Sequence, residues 1–586
     1  MKLEKYSIAL FAVLSVMGSF AQVPDSVVNK TVNVTREYRP AITDVGKIIA
    51  EPKIIEPTVN KSTPVYSDIT TPISGAYNIH TLPATELLHE PSAVKKGFLR
   101  LGAGIPLNTL GDFMYPILDD KRNRLDVGLH HLGVFGDKKH AKTSLSLQFD
   151  HLFESFDLYA GAGGSHDYFN YYGIPYAGTE SFIMSDAASR YGTAYYNDKD
   201  GNPVSFWNMS GYPVDNTHWC ANGIVGIRSL PLADNLIFDA HVSYKLLYNV
   251  SSGISENQVR LDGLFEVPFE SNRLGLKAEI YNFGYAVPTS TTFDFPDNYS
   301  VVKLNPYFKF VGDEWYVKLG ARTGISIGSA GQIFSPSADV DAQWNAIPAY
   351  LSLYGALTGD LAVNSLYAIY DENRYLSLSE RIKDTYTPVN AYLGFKLSPT
   401  YNLLFDVYGQ YKIIGNQYFY VNKEFERTTA PADMPDNFSW VYLNNFDVVY
   451  SRATRASVGI RGSWDYKDQV NVYLKGAYHY WDVNEEMQAW HLPAWDADFG
   501  ADVKAGSDVS ISTRFYFQDG RYAKLSVSEG TKMDPVFDWN LGVSYAYRDW
   551  MSFFLRVNNI LNKKYEFYKG YQVQGMNGMV GVAFSL

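Results

Sequence analysis

The chain has 586 residues, a formal net charge of −12 and one cysteine, Cys220. The acidic balance excludes the basic footprint that nucleic-acid binding demands, and a single cysteine excludes an intrachain disulfide or a cysteine metal cluster. Aromatics make up 16% of residues, Tyr foremost, while mean hydropathy is slightly negative. That is too polar for a bundle of membrane helices, but it suits a transmembrane barrel whose strands turn one face to a lumen.

In chain order, residues 1–21 read as a secretory signal. Lys2 and Lys5 form the positive region, Ile8 to Val16 the short apolar core, and Ser19-Phe20-Ala21 a cleavage site before Gln22. Residues 22–96 are rich in proline (Pro24, Pro40, Pro52, Pro57, Pro64, Pro72, Pro83, Pro91) and show no sustained period. Proline removes backbone donors and breaks regular elements, so an extended periplasmic segment is expected. It is read either as a flexible leader or as a segment that docks in the lumen, which Ile48-Ile49 and Ile54-Ile55 would favour.

From residue 97 to Leu586 the sequence alternates apolar and polar, the period of a strand with one greasy and one wet face. In Phe537–Tyr547 one face carries Phe537, Trp539, Leu541, Val543, Tyr545 and Tyr547. The same rhythm runs through Leu236–Tyr248, Tyr401–Tyr411 and Val470–Tyr480, with Asp239, His241, Lys245, Asp406, Lys475 and His479 on the opposite face. Charges on one face of a spanning strand need water and so should line a lumen. Short turns at 270–272, 312–314, 398–400 and 506–508 alternate with long loops at about 167–216, 288–299, 367–389 and 416–444. About 22 antiparallel strands in an all-β transmembrane barrel are expected, with tight periplasmic turns and long outer loops. The hairpin near residues 98–117 is the least regular part. No run of eighteen apolar residues follows the signal, so the outer membrane of a Gram-negative cell is the expected location.

Chemical motifs are few, and each fails on register. Gly324-Ile325-Ser326-Ile327-Gly328 matches a nucleophile elbow, but it lies in an alternating strand rather than at a strand-to-helix turn. Around Asn197–Asn202 a calcium-loop register would put Tyr196 first and Trp207 twelfth, where a bidentate Glu is needed. His130 and His131 are adjacent on a strand and point to opposite faces. His89-Glu90 lacks the second histidine of a zinc protease, and Gly161-Ala162-Gly163-Gly164 opens no helix. No enzyme activity is expected, and no catalytic, cofactor-binding or metal-ligating residue. The best binding candidate is loop 167–216, with Tyr168, Phe169, Tyr171, Tyr172, Tyr176, Tyr191, Tyr195, Tyr196, Trp207 and Tyr212. Such aromatics suit sugars or peptides; alternatively they hold the loop down over the barrel mouth.

The segment Trp550–Tyr565 (WMSFFLRVNNILNKKY) resembles the penultimate strand of TonB-dependent receptors. The last strand, with Val580, Val582, Phe584 and Leu586 on one face, is similar to the terminal signal of outer-membrane barrels, closing on Leu where Phe is usual. The leader Val34–Pro40 followed by Lys47-Ile48-Ile49 resembles that of plugless receptor-type barrels common in Bacteroidetes. The resemblance implies a barrel of about 22 strands and uptake of an unidentified solute across the outer membrane. The expected partners are outer-membrane lipid and surface or periplasmic lipoproteins. Coupling to TonB is in question, because residues 22–96 are too few for the family's plug domain. The alternative is a non-transporting scaffold subunit of an outer-membrane assembly or secretion complex. A lumen this wide must be filled, and the leader and loop 167–216 are expected to share that task.

Overall fold

In a computed structural model, the described residues are 96–586, except for 174–175, 178–192, 198–202, 209–214, 231–235, 289–297, 329–333, 377–381, 425–440, 468 and 527–528. The expected signal (1–21) and nearly all of the Pro-rich extension (22–96) therefore lie outside the described residues. Twenty-two antiparallel strands, each bonded to its chain neighbours, close into one barrel. The seam joins the first strand, Phe98–Ile105, to the last, Asn577–Ser585, over eight register pairs from Phe98↔Ser585 to Ile105↔Gly578. Lys96 and Gly97 N–H both donate to the Leu586 carbonyl, so the two ends of the barrel chain meet at one rim. The hairpin that was least regular in sequence, Phe98–Ile105 with Asn108–Asp119, is thus the piece that closes the cylinder.

Alternation decides which face each residue takes. Trp539, Tyr545, Tyr547, Val242, Tyr244, Leu474, Tyr478 and Tyr480 are all exposed large side chains, while Asp239, Asp406 and His479 from the opposite positions bond Tyr159, Tyr354 and Asp496 on nearby strands of the inner face. Near the tight-turn rim the outward face carries Phe153, Trp315, Tyr350, Tyr401, Trp464, Tyr466, Tyr547 and Trp550, and further up it carries Trp219, Tyr411, Tyr480 and Trp495. Two aromatic girdles around an aliphatic band are the signature of a barrel that spans a bilayer, and with 22 strands they point to an outer membrane. Among the described residues no helix is long and apolar enough to cross a membrane.

The short turns fall at 270–271, 312–314 and 506–508 as expected. The one expected at 398–400 lies instead inside the strand Thr385–Thr400, and the chain reverses at Tyr401-Asn402. A register irregularity between Leu397 and Thr400 takes up Pro399, which has no N–H to give to a ladder. The other rim carries the long connections. There two neighbouring strands, Leu403–Glu424 and Val441–Tyr466, run far past their companions. At 26 residues the second is more than twice the roughly 9–11 residues that cross a bilayer, so its first half stands above the membrane.

Candidate functional site

The wide lumen is closed at the long-loop rim by the chain's own loops. Residues 363–376 and 382–384 fold inward, and the first of these stretches carries a short helix of about two turns, Leu366–Glu372. Its start is written in the sequence: Ser365 caps it, its Oγ accepting from Ala368 N–H at 3.1 Å, and Leu366, Ile369 and Tyr370 fall on one face at helical spacing. Seven residues cannot hold a helix in water, so its support comes from the wall. The carboxylate of Glu256, 1% exposed, accepts from Leu366 N–H at 2.7 Å and Tyr367 N–H at 3.2 Å. Those are two of the N–H groups a helix start leaves unpaired, at the positive end of its dipole. Lys142 on the wall reaches Asp371 at 3.0 Å, and the Lys245 ammonium lies 5.1 Å over the Tyr367 ring.

Beyond the helix, the chain enters an aromatic cluster fed by six separate segments. Tyr375 lies face to face with Tyr571 at 3.6 Å, and both meet Tyr172 edge-on. Phe169 packs against Tyr171, His218 and Tyr375, and Tyr568 against Phe446 and Tyr420. With Leu247, Ile254, Leu366, Ile369, Leu376 and Ile382 they make one dry cluster across the mouth. Burial pushes the Tyr171 and Tyr375 phenols up to about 12 and pulls the Arg374 guanidinium, laid over the Phe169 ring, down to about 10. The phenols are therefore neutral and Arg374 still charged at pH 7.

The second closing loop, 559–576, begins with the second half of the receptor-like segment Trp550–Tyr565. Asn558 pairs with Asn577 across the last hairpin at 2.8 Å. Asn559, with φ 48°, accepts from Lys563 N–H and donates to Lys563 O, closing a tight loop on its own side chain. Asn562 accepts from Met576 N–H, and the Tyr565 hydroxyl donates to Asp538 on the wall at 2.9 Å. The Asn, Asn and Tyr of that segment are thus anchors that aim Tyr568 and Tyr571 over the lumen. A third loop, 484–494, adds His491, whose Nδ1–H donates to Tyr420 O at 2.8 Å while Nε2 accepts from Lys569 N–H at 3.2 Å. Burial, with the Arg521 and Lys569 charges nearby, pulls this imidazole down to about 3, so it is held neutral.

Below this lid the wall is polar. Asp339, 0% exposed, bridges Lys318 at 3.0 Å, Arg322 at 2.7 Å and Asn305 at 2.9 Å. Glu279 meets Lys277 and Lys303, and Lys303 continues to Asp360. Toward the tight-turn rim a cavity of about 990 Å³ is lined by Arg124, Asp126, Gln148, Asp150, Tyr159 and Arg228. Arg228 there holds both Asp157 and Asp150.

Of the residues singled out in loop 167–216, Phe169, Tyr171 and Tyr172 belong to the lid's packed core, which fits holding the loop down rather than receiving a ligand. Tyr168 bonds Asp215 at the rim; Tyr176 falls in the short strand Tyr176–Ala177, which pairs with Val441 and Tyr442, and Tyr195, Tyr196 and Trp207 fall in the hairpin of Thr193–Asn197 with Pro203–Asn208, while Tyr191, Tyr212, Asp198–Asn202 and His89-Glu90 lie outside the described residues. Ser326 is buried within the strand Trp315–Ile327, as its alternation required, and Gly161–Gly164 lie within Phe156–Asn170. His130 turns inward to Asp112 while His131 bonds Thr109 and Thr143 on the other face. Among the described residues no group of three His, Cys, Asp or Glu is placed to hold a metal ion. Sequence reasoning missed the closing role of residues 363–376 and 382–384; Ser365 and the 366/369/370 spacing carry the signal of a short helix at the start of what is expected from sequence as the long loop 367–389.

No family model and no curated protein matches the chain. Solved structures do. An enterobactin-bound mutant of the ferric enterobactin receptor PfeA from Pseudomonas aeruginosa superposes with a TM-score of 0.59 at 12% identity, covering 84% of this chain and 81% of that one. The siderophore receptor PirA from Acinetobacter baumannii gives 0.59 at 10%, over 84% and 80%. The ferric-catecholate import receptor Fiu from E. coli K12 gives 0.57 at 10%, over 83% and 81%. The likeness is one of fold. These neighbours are receptors, not enzymes.

Proposed function

We propose that this protein is an outer-membrane uptake barrel whose lumen is the path of a solute and whose inward-folded loops are the gate. The observation that carries this reading is the division of labour inside the barrel. A water-facing, charged wall lies under a dry lid, and the lid is held by packing and by scattered side-chain bonds rather than by a strand ladder, among them Glu256, Lys142 and Tyr418 to the helix, Asp538 to Tyr565, and His491 between Tyr420 and Lys569. A barrel that served only as a scaffold would have no use for a polar lumen with a detachable closure. The structural neighbours named for siderophores and ferric catecholates support import as the direction. The solute itself, energy coupling through TonB and lipoprotein partners belong to the same proposal, as does entry of residues 22–95 into the lumen from the tight-turn rim, where Lys96 begins. Replacing 363–384 by a short turn and measuring proteoliposome swelling in sugars of increasing size tests the gate. Swelling by the variant and none by the full chain is expected; no swelling by either would sink the transport reading.

A further inference from the structure

Aromatic side chains of the inner wall repeatedly lie across a glycine of the next strand. Tyr307 shows the arrangement in full: its register neighbour is Gly275, and the neighbour of Gly275 one strand further on is Glu266. The ring covers Gly275, where a Cβ would overlap it, and its hydroxyl donates to the Glu266 carboxylate. Tyr159 lies in the same way over Gly226, Tyr354 over Gly394, Tyr408 over Gly459 and Tyr473 over Gly500, each directly opposite its glycine in register. At the seam Phe554 lies over Gly581. Glycine within a strand weakens it and marks a close approach. Here the approaching group is the ring.

The rings are also held at their far ends and on their faces. The Tyr159 hydroxyl donates to Asp239 at 2.7 Å, that of Tyr473 to Asp498 at 3.3 Å, and that of Tyr354 to Asp406. Arg228 lies 5.1 Å over Tyr159, Lys318 5.4 Å over Tyr307, Lys396 5.6 Å over Tyr354 and Arg461 4.7 Å over Tyr408, an added attraction for each ring. Every seated ring falls within the first six residues of its strand, counted from the tight-turn end. Their strands are spread round the barrel from Phe156–Asn170 to Met551–Asn558. Together the rings form a collar near the tight-turn rim.

From these seats we infer that Gly226, Gly275, Gly394, Gly459, Gly500 and Gly581 set the bore of the passage, each letting a ring lie against the wall that would otherwise project into the lumen. A displaced ring must take another staggered rotamer, and with the wall closed to it that rotamer points into the lumen. The collar is thus a fixed aperture, and its width limits the solute that the lid admits. The inference rests on the uptake reading for the passage it sizes, whereas the seating of the rings is tested without transport.

Tetranitromethane is applied to the full chain and to a variant combining Gly275→Ala, Gly394→Ala and Gly500→Ala, with tyrosine nitration read by peptide mass spectrometry. Displaced rings lose a hydrogen bond to a carboxylate, so nitration of Tyr307, Tyr354 and Tyr473 should rise by about tenfold. Tyr159, whose glycine is untouched, should keep its native rate. The bore is then read as single-channel conductance and polyethylene glycol exclusion in the chain with 363–384 replaced by a short turn. There the three alanines should lower the conductance and the largest polymer admitted, and adding Tyr307→Ser, Tyr354→Ser and Tyr473→Ser should raise both above the parent. Circular dichroism and heat-modifiable gel mobility establish that each variant keeps its barrel; if the triple variant does not fold, Gly275→Ala alone is read at Tyr307. Unchanged nitration would overturn the seats, and a conductance loss that the serines leave in place would overturn their control of the bore. A parent that stays silent counts against the gate and not against the seats, which the nitration decides.

Discussion

The lid and the wall of this barrel are held together in opposite ways. Wall strands are locked into one continuous ladder from the Phe98 strand round to the Asn577 strand, so a wall side chain can change without disturbing the fold. Among the described residues the lid meets a wall strand through one isolated bridge, Leu376 with Phe446, and not through a continuous ladder. It is a contact cluster of aromatic rings and aliphatic side chains from distant loops, tied by scattered hydrogen bonds such as those of Glu256, Tyr418, Asn422 and Tyr565. Stability is therefore concentrated in the wall, and the lid is the part able to open by itself, in keeping with local opening being drawn from the least stable elements. On the uptake function proposed above, the wall sets what can pass and the lid sets when.

The sharpest way to break this division is to change neighbouring wall residues on its two faces. Leu474→Arg places a charge in the lipid band and should cost about 2–4 kcal/mol in unfolding from liposomes, whereas Lys475→Gln, one residue along and facing the lumen, should cost about 0–0.5 kcal/mol. Equal costs would refute the face assignment. Next comes the lid's main polar pin. Glu256→Gln removes the charge from two hydrogen bonds to the helix start and should weaken its docking by about 2 kcal/mol. Hydrogen exchange at 366–372 would then accelerate by more than tenfold while the strand amides stay unchanged.

A pH effect of similar size follows from His491. Its imidazole is held neutral at about 3 when the lid is closed and returns to an ordinary value near 6.5 when exposed. The open lid thus binds a proton that the closed lid refuses. Closure is fully favoured above about pH 6.5 and weakens steadily as pH falls toward 3, losing about 2 kcal/mol between pH 7 and 5. Faster exchange at the lid amides at pH 5, corrected for intrinsic rates and abolished in His491→Gln, is the expected signature. The smallest effect is at the aromatic stack. Tyr571→Phe keeps the ring over Tyr375 and should shift lid exchange by less than about threefold, while Tyr571→Ala should exceed tenfold.

The sequence made much of the wall legible and little of the lid, for a physical reason. Strand alternation is a local period, so Phe537 to Tyr547, Asp406 and Lys475 could be assigned to faces before any partner was known. The Asn558–Tyr565 segment pointed to a barrel end through its likeness to receptors, but its part as a loop anchor needed Asn577, Asp538 and Met576 in view. Which side chains stand opposite one another depends on register, and neither the Tyr307–Gly275 pair nor the misplaced turn at 398–400 could be read without it. The lid depends on contacts between residues such as Phe169, Tyr375, Phe446 and Tyr571, hundreds of positions apart. Its one local clue was the Ser365-capped spacing of Leu366, Ile369 and Tyr370. Of the long loop expected to cover the lumen, the stem residues Phe169, Tyr171 and Tyr172 lie in the lid and much of the rest lies outside the described residues; residues 363–376, 484–494 and 559–576 supply most of the described closure.

Single-channel recording across a planar bilayer tests the central claim most directly, comparing the full chain with the variant in which 363–384 is replaced by a short turn. A lid made from the chain's own loops predicts a silent full chain and stable current steps from the variant at the same applied voltage. Steps of equal size from both, or silence from both, would contradict it.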